Sequence, residues 1–483
     1  MKLLYLLLFC AASLPALGQQ DSAAGKTGAE ERAQGLDARI GSPAVDTARR
    51  YTLQSINLVG LRRTKPRIVL REMALHEGDV LAGDSLRYYI ERDSLRLQNV
   101  SLFADVILQF VPTGGDAISL YVILKERWYI WPELGVTLAD RNFNVWWTEM
   151  NADLRRVNFF GAVADRNFRG NLEYLRIGGQ TGYTRRATVE YRRPYVDKKQ
   201  RHGIGTSLAY SENAEHYFTT DGNKLRFFRL HQRPVLREGL VGLLYTYRPG
   251  YASRHAAELR YRDFRIAEGL AQENPDFFER SRTRLRFLEA VYRYDFNGVD
   301  NWNYPLYGRK LILTATGRRG LEGMQWQGLL HVEASAFQKI SRRWFTSQVF
   351  RGRLSVPEGV PYFLRGAMGG GSEYVRGYEY YVIDGSQYGI VRSNLKFQAL
   401  NKTIRGLPLR FLPSIPIAAY PKVFADVGWA RNILPGNSFL NNRLLYGAGL
   451  GIDVITAYGL KARLEVSWNG LGERGLFFHQ DAE

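Results

Sequence analysis

Residue types able to do acid–base, nucleophilic or metal chemistry are present but are not arranged for it. Seven histidines are scattered through 483 residues. No His-x-x-x-His or Cys-x-x-Cys spacing places two ligands together. Neither Gly-x-Ser-x-Gly nor Gly-x-x-x-x-Gly-Lys occurs, so a nucleophile turn and a phosphate-cradling loop are both missing. No catalytic residue, metal or cofactor is expected. The chemistry on offer is electrostatic. In Gly369-Gly370-Gly371-Ser372-Glu373-Tyr374-Val375-Arg376-Gly377-Tyr378, Arg376 stands beside a glycine. That neighbour lets the planar guanidinium approach a carboxylate closely.

The stretch follows Pro357, Pro361 and Gly366, so it belongs to a long irregular connection. Gly369, Gly370 and Gly371 give the backbone access to positive φ and form a hinge. No helix start follows them, which argues against phosphate binding. Tyr374, Val375, Tyr378, Tyr380 and Tyr381 argue against disorder. The expectation is a loop that tucks into the molecule and is locked there.

Composition bounds the setting. Aromatics make up 13% of the chain, and there are 48 glycines. Mean hydropathy is −0.29. Beyond the N-terminus no apolar run is long enough for a membrane-spanning helix. Lys2, the apolar run Leu3 to Phe9 and the small-x-small site Ala16-Leu17-Gly18 read as a secretory signal peptide over 1–18. The sole cysteine, Cys10, lies inside it, which removes disulfide and thiolate chemistry from the mature chain. Lipid attachment at Cys10 is the lesser alternative, because Leu7-Leu8-Phe9 lacks small residues. The formal charge of +19 does not point to nucleic acid, since the arginines alternate with apolar residues instead of forming a run. It suits a basic lumen or a surface facing anionic lipid.

Residues 19–50 read as a flexible tether rich in Ala, Gly, Ser and charge. Residues 51–129 read as a small α+β domain of order β-α-α-β-β. A strand ends at Gly60, and Thr64 caps a helix opening at Pro66. A second helix over about 84–98 has Leu86, Tyr89, Ile90, Leu95 and Leu97 as its apolar face. Strands near 103–111 and 117–125 close the domain.

From residue 130 to 483 the pattern changes to alternating segments of about ten residues, the length of a tilted membrane strand. Val391, Ser393, Leu395 and Phe397 alternate with Arg392, Asn394 and Lys396, and Leu460, Ala462, Leu464 and Val466 with Lys461, Arg463 and Glu465. Aromatic pairs at segment ends, such as Trp146-Trp147, Phe159-Phe160, Tyr245 with Tyr247, and Tyr292 with Tyr294, look like interfacial girdles. The expected fold is an all-β, 16-stranded antiparallel transmembrane β-barrel. Its strands centre near 137, 162, 175, 189, 207, 228, 244, 289, 313, 331, 349, 394, 425, 449, 464 and 477. The stretch His255 to Ala267 reads as an extension of the strand near 244.

Val375-Arg376-Gly377-Tyr378 in a long loop, with Val423-Phe424-Ala425-Asp426-Val427-Gly428 downstream, resembles the outer-membrane β-barrel assembly and transport superfamily of the BamA, TamA and two-partner-secretion type. Asn167-Phe168-Arg169-Gly170 and Arg192-Arg193-Pro194-Tyr195-Val196 extend the likeness. Residues 51–129 resemble its periplasmic polypeptide-binding POTRA domain through Val59-Gly60, Arg71-Glu72, Gly78-Asp79, Leu97-Gln98-Asn99 and Lys125-Glu126-Arg127-Trp128.

The resemblance implies residence in the cell outer membrane with the POTRA-like domain in the periplasm. It implies a lock of Val375, Arg376, Gly377 and Tyr378 on Asp426 and Gly428. It also implies a weakly paired lateral seam, here Glu133, Gly135 and Thr137 against Gly475, Phe477 and Phe478. Clients would pair with a POTRA edge at Phe103, Asp105, Ile107 and Gln109. The expected function is assembly or insertion of outer-membrane proteins. The alternative is a two-partner-secretion translocation pore, although such pores usually carry two POTRA domains. A passive porin is disfavoured by the loop. Expected partners are unfolded outer-membrane or secreted polypeptides, outer-membrane lipid and accessory lipoproteins, not nucleic acid.

Overall fold

The structure, a computed structural model, describes residues 46–479 apart from 101, 231–232, 325, 372, 406–413 and 457–460. The expected signal peptide, and the expected tether as far as residue 45, lie outside the described residues.

The N-terminal domain runs β1 (Arg50–Val59), α1 (Pro66–Glu72), β2 (Val80–Ala82), α2 (Leu86–Asn99), β3 (Phe103–Gly114) and β4 (Ala117–Glu126). Its sheet has the order β2-β1-β4-β3, with β1 parallel to β4. Leu53, Ile68, Val69, Leu97, Phe110 and Leu120 are buried between sheet and helices. Three details of the sequence reading change. Short β2 is an added strand, and Leu95 is 52% exposed. The inward face of α2 is Leu86, Ile90, Asp93 and Leu97, a helical spacing in which Asp93 replaces an apolar residue. Buried Asp93 accepts from the Ala74 and Leu75 amides at 2.9 and 3.1 Å, which satisfies it. Thr64 is not a cap. Lys65 precedes Pro66 at the helix start without a side-chain bond, and the Thr64 hydroxyl instead meets Tyr129 at 2.8 Å and accepts from Asn167 at 2.9 Å.

The barrel follows as β5 (Ile130–Leu138), β6 (Val157–Phe168), β7 (Glu173–Gly182), β8 (Thr184–Arg193) and β9 (His202–Asn213). A hairpin of β10 (Glu215–Asp221) and β11 (Lys224–Arg229) forms a separate sheet. The wall continues with β12 (Leu236–Tyr247), β13 (Ser253–Ile266), β14 (Arg284–Val299), β15 (Gly308–Gly320), β16 (Trp326–Lys339) and β17 (Trp344–Val356). Small β18 (Gly366–Met368) and β19 (Ile383–Asp384) pair within the next loop. The wall ends with β20 (Gln387–Phe397), β21 (Leu400–Arg405), β22 (Ser414–Arg431), β23 (Leu444–Ile455), β24 (Lys461–Asn469) and β25 (Arg474–His479). These seventeen wall segments close into one barrel. Because β20 and β21 both pair with β22, they form one interrupted stave, giving sixteen.

The count agrees with the sequence reading, but its membership does not. The segment near 228 is β11, outside the wall, and 253–266 is a full stave paired along its length with β12 and β14. Period two marks any hairpin, so alternation alone does not separate a loop hairpin from a stave. Likewise Trp146 and Trp147 do not end a strand. They sit on α3 (Phe143–Thr148), between β5 and β6, with Trp146 buried.

The wall is apolar outside and charged inside. Leu134, Ile177, Leu243, Leu259, Val423 and Leu464 are exposed, whereas Glu289, Asp426 and Glu465 are buried. A soluble fold would bury the first set. This polarity suits a wall facing lipid. Among the described residues no helix is long and apolar enough to cross a membrane.

The N-terminal domain docks on one end of the barrel. Arg248 grips Glu72 with two bonds of 2.7 and 2.9 Å. Arg71 Nε donates to Gln200 O at 2.6 Å, and Arg63 meets Asp165 at 2.8 Å. Gly170 and Tyr195 take part as well, through Lys65 N to Gly170 O at 2.9 Å and Tyr195 OH to Glu72 at 3.3 Å.

Candidate functional site: a lumen lock and a lateral seam

The connection between β17 and β20 folds into the barrel. Arg376 is fully buried, and so is Asp426 on β22. Arg376 Nε donates to Asp426 Oδ2 at 2.8 Å, Nη2 donates to Oδ1, and the Arg376 amide reaches Oδ2 at 3.1 Å. The guanidinium lies 3.9 Å from the Phe424 ring centroid. Two close approaches explain the glycines around it. A Cβ on Gly428 would lie 2.4 Å from Val375 Cγ2, and one on Gly447 would lie 1.9 Å from the Arg376 carbonyl oxygen. Val375 and Tyr378 are buried, and the Tyr378 hydroxyl accepts from Gly470 N at 3.0 Å. Gly377 has φ +95°, and its amide donates to Glu379 Oε2 at 2.7 Å. Of the hinge glycines, Gly369 has φ +84° and sits against the Tyr381 carbonyl, whereas Gly370 has open space where a side chain would go. A Cβ on Gly371 would meet only Glu373 Oε2, at 3.6 Å.

The lock is wider than one pair. Arg376 Nη1 also donates to Asn394 Oδ1 at 2.7 Å and Glu465 Oε1 at 3.2 Å. Lys422 lies 2.8 Å from both Asp453 and Glu465, and Arg463 lies 3.3 Å from Asp453. Arg392 donates to the Tyr374 carbonyl. Sequence reasoning placed Arg392, Asn394, Arg463 and Glu465 on polar strand faces but did not join them to the lock. Alternation gives the face of a residue, whereas contact needs the register between strands. Glu379, in the same loop, is buried, and burial beside Glu465 pushes its carboxyl up to about 8.

At the seam, every adjacent pair of staves except one carries a register of six or more residue pairs, down to the six joining β24 and β25. Among the described residues no paired register joins β25 to β5, its neighbour in the ring. The edge of β25 is held by α3 instead. Asn144 Nδ2 donates to Leu476 O at 2.7 Å, and Asn144 Oδ1 accepts from Phe478 N at 3.3 Å. One carboxamide thus supplies the donor and acceptor that a paired strand would present. Phe143 packs edge-on against Phe478 at 6.3 Å. The same segment grips the loop. Arg141 Nη2 donates to Tyr380 O at 2.6 Å, and Asn142 Nδ2 to Glu379 O at 3.0 Å. Of the seam residues, Glu133 pairs with Arg176 at 2.9 Å, and Gly135 fits under the Phe160 ring. Thr137 is exposed. Phe477 is buried with its ring 5.4 Å from Tyr380, and a Cβ on Gly475 would meet the Phe477 ring.

In the N-terminal domain β3 is an edge strand, bonded only to β4. Asp105, Ile107 and Gln109 lie on its less buried face. Phe103 is 2% exposed and belongs to the core, and its carbonyl already accepts from Arg127 Nε at 2.6 Å. The open part of the edge therefore begins after Phe103.

No protein-family model matches the chain, and no curated protein matches it in sequence. Solved structures do. BamA from Haemophilus ducreyi, lacking POTRA domains 1–3, superposes with TM-score 0.54 at 12% identity, over 90% of this chain and 84% of that one. CdiB from Acinetobacter baumannii gives 0.51 at 12% identity, over 89% of this chain and 73% of that one. CdiB from Escherichia coli gives 0.50 at 12% identity, over 93% and 94%. The chain therefore has the fold of BamA and CdiB, a closed barrel with an N-terminal domain docked at one end.

Proposed function

We propose that this protein inserts polypeptides into the outer membrane. Its N-terminal domain, on the periplasmic side, holds an unfolded client along β3, and the client then adds strand by strand at the edge of β25. The observation that carries this reading is the seam, where among the described residues no paired register joins the last stave to the first, and the free edge of β25 meets the Asn144 carboxamide. An exposed strand edge is a template for an incoming strand. A carboxamide clasp of two hydrogen bonds is also far easier to displace than a ladder. Translocation through the lumen is less favoured, because the buried cluster of Arg376, Asp426, Glu465, Lys422 and Asp453 would have to part for a chain to pass.

The test is reconstitution of the protein into vesicles and addition of an unfolded barrel client. Faster acquisition of protease resistance and heat-modifiable migration by the client, against empty vesicles, supports insertion. Client appearing free inside the vesicles, with none in the bilayer, contradicts it and selects translocation.

A further inference from the structure

The turn between β14 and β15, residues 300–307, folds into the barrel at the end where the N-terminal domain docks. It is braced from within. Asp300 N donates to Tyr307 O at 3.0 Å, and Asp300 Oδ1 accepts from the Leu306 and Tyr307 amides at 3.0 and 3.1 Å. Asn301 Oδ1 accepts from the Asn303 and Tyr304 amides at 2.8 and 3.3 Å. Asp and Asn side chains bonded in this way hold a turn without help from a neighbouring strand. Two of its rings reach different walls. Trp302 lies under the Arg254 guanidinium at 4.7 Å. Arg254 faces the lumen, because β13 turns Leu259 outward and alternate residues share a face. Tyr304 is 4% exposed, and its hydroxyl donates to Asp453 Oδ2 at 2.9 Å. Its ring lies 5.0 Å from that of Tyr420 and 4.4 Å from Lys396 Nζ. Arg254 belongs to β13 and Asp453 to β23, which is seven staves farther round the ring of sixteen (β14, β15, β16, β17, β20, β22, β23). The turn therefore bridges nearly opposite walls.

What the turn covers is charged. The side chains of Lys422, Asp453, Arg463 and Glu465 are at most 3% exposed, although all four point into the barrel. An open lumen would hydrate them. Beside them Tyr304, Phe345, Tyr420 and Ile455 form an apolar cluster, with Leu306 and Ala418 packed against it. Ala418 and Ile455 pair one lumen-facing step nearer the docked domain than Tyr420 and Asp453. The apolar layer thus lies on the domain side of the charges.

We infer that residues 300–307 are a plug that closes the lumen to water and ions at the docked-domain end, with Tyr304 as its stopper. A constriction lined by apolar rings excludes water by dewetting. That exclusion keeps the ionic cluster behind it unhydrated, where its internal pairs are strongest. The bond to Asp453 satisfies the one polar atom of the Tyr304 side chain, so the ring is seated without an unpaired hydroxyl. The plug does not depend on the insertion role proposed above, since a barrel of any function leaks unless its lumen is shut.

The test reads solvent entry at Ser347, which is 2% exposed and faces the lumen one step farther from the docked domain than Phe345. The full chain carrying Cys10→Ser and Ser347→Cys has a single thiol. In detergent it is exposed to a charged, water-soluble methanethiosulfonate, labelling is followed by mass spectrometry, and heat-modifiable migration confirms a closed barrel. Labelling of this reference chain is expected to be slow. Tyr304→Gly should speed it at least about tenfold, because a buried thiol reacts only as often as its cover opens. Tyr304→Phe keeps the ring, and Asp453 keeps Lys422 and Arg463, so labelling should stay at the reference rate. Asp300→Ala cuts the brace of the turn at an exposed position and should raise the rate several-fold without touching the lumen wall. Tyr307→Gly removes a ring of the same turn that is 66% exposed, and the rate should not change. Fast labelling of the reference chain overturns the plug. So does unchanged labelling of folded Tyr304→Gly, or of Asp300→Ala where Tyr304→Gly does not fold. An equal rise with Tyr307→Gly overturns it as general loosening, and Tyr304→Phe as fast as Tyr304→Gly overturns it as a hydrogen-bonded latch without an apolar seal.

Discussion

At the scale of single residues, the lock depends on a charge with no access to water. Arg376 is fully buried, with Nε and Nη2 matched to the Asp426 carboxylate and Nη1 shared between Asn394 and Glu465. Arg376→Ala takes the central cation from buried Asp426 and Glu465, and Asp426→Ala takes the two-pronged partner from Arg376, leaving it Glu465 and Asn394, so each is expected to destabilise the seated loop, by at most about 3–5 kcal/mol. A double-mutant cycle read by proteolysis of the 357–386 loop should show strong coupling, and additive effects would argue against the lock. Arg376→Lys keeps the charge but loses the planar fork, and it should behave more like alanine than like the parent. Glu379 adds a pH dependence. Burial holds its carboxyl at about 8 against an ordinary 4.5, so the seated loop binds a proton that a released loop gives up between those values. Seating is therefore favoured at the acid end and weakens as pH rises from 4.5 to 8. Loop proteolysis should accelerate over that window, and Glu379→Gln should flatten the profile. Arg376, Asp426 and Gly428 were legible in the sequence because a short motif carries them. Asn394, Lys422 and Glu465 were not, because their convergence depends on which strands lie side by side.

At the scale of elements, a six-residue helix stands where a strand would pair. Asn144→Ala removes both bonds from α3 to β25, an expected loss of about 1–3 kcal/mol in local stability. Hydrogen exchange should then speed up at Leu476 and Phe478 and stay unchanged in β24 beyond its paired stretch. Unchanged exchange in β25 would mean that the edge is protected by something other than Asn144. The number of staves could be read from period-two alternation, but the choice between β11 and β13 could not, and neither could the length of long staves such as β14 (Arg284–Val299) and β22 (Ser414–Arg431). β13 carries Arg260, Arg262, Asp263 and Arg265 in its far half, so its lipid-facing signal is diluted, while the loop hairpin alternates as cleanly as a wall strand. The clasp was illegible for a different reason. Phe143 to Thr148 reads as an aromatic cluster, and nothing local marks a carboxamide that meets a strand more than 300 positions away.

At the scale of the whole molecule, the docked domain, the wall, the loop and the seam are joined by few and specific contacts. Glu72 is 3% exposed and bonds Arg248 twice, so Glu72→Ala is expected to cost about 3–5 kcal/mol at the docking interface. Small-angle scattering should then show a broader distribution of domain positions, and an unaltered profile would place the docking energy elsewhere. The domain division at about residue 130 was legible as a change of period, but the docking was not, because Glu72 and Arg248 are ordinary charged residues until the fold brings them together. The central claim is that the edge of the last stave must come free for a client to enter. The most direct measurement is client insertion into vesicles by an Asn144→Cys/Phe478→Cys variant, whose added thiols are the only ones beyond Cys10. Oxidation should pin α3 to β25 and stop insertion, and reductant should restore the parent rate. Insertion that proceeds at full rate with the disulfide closed would contradict the account.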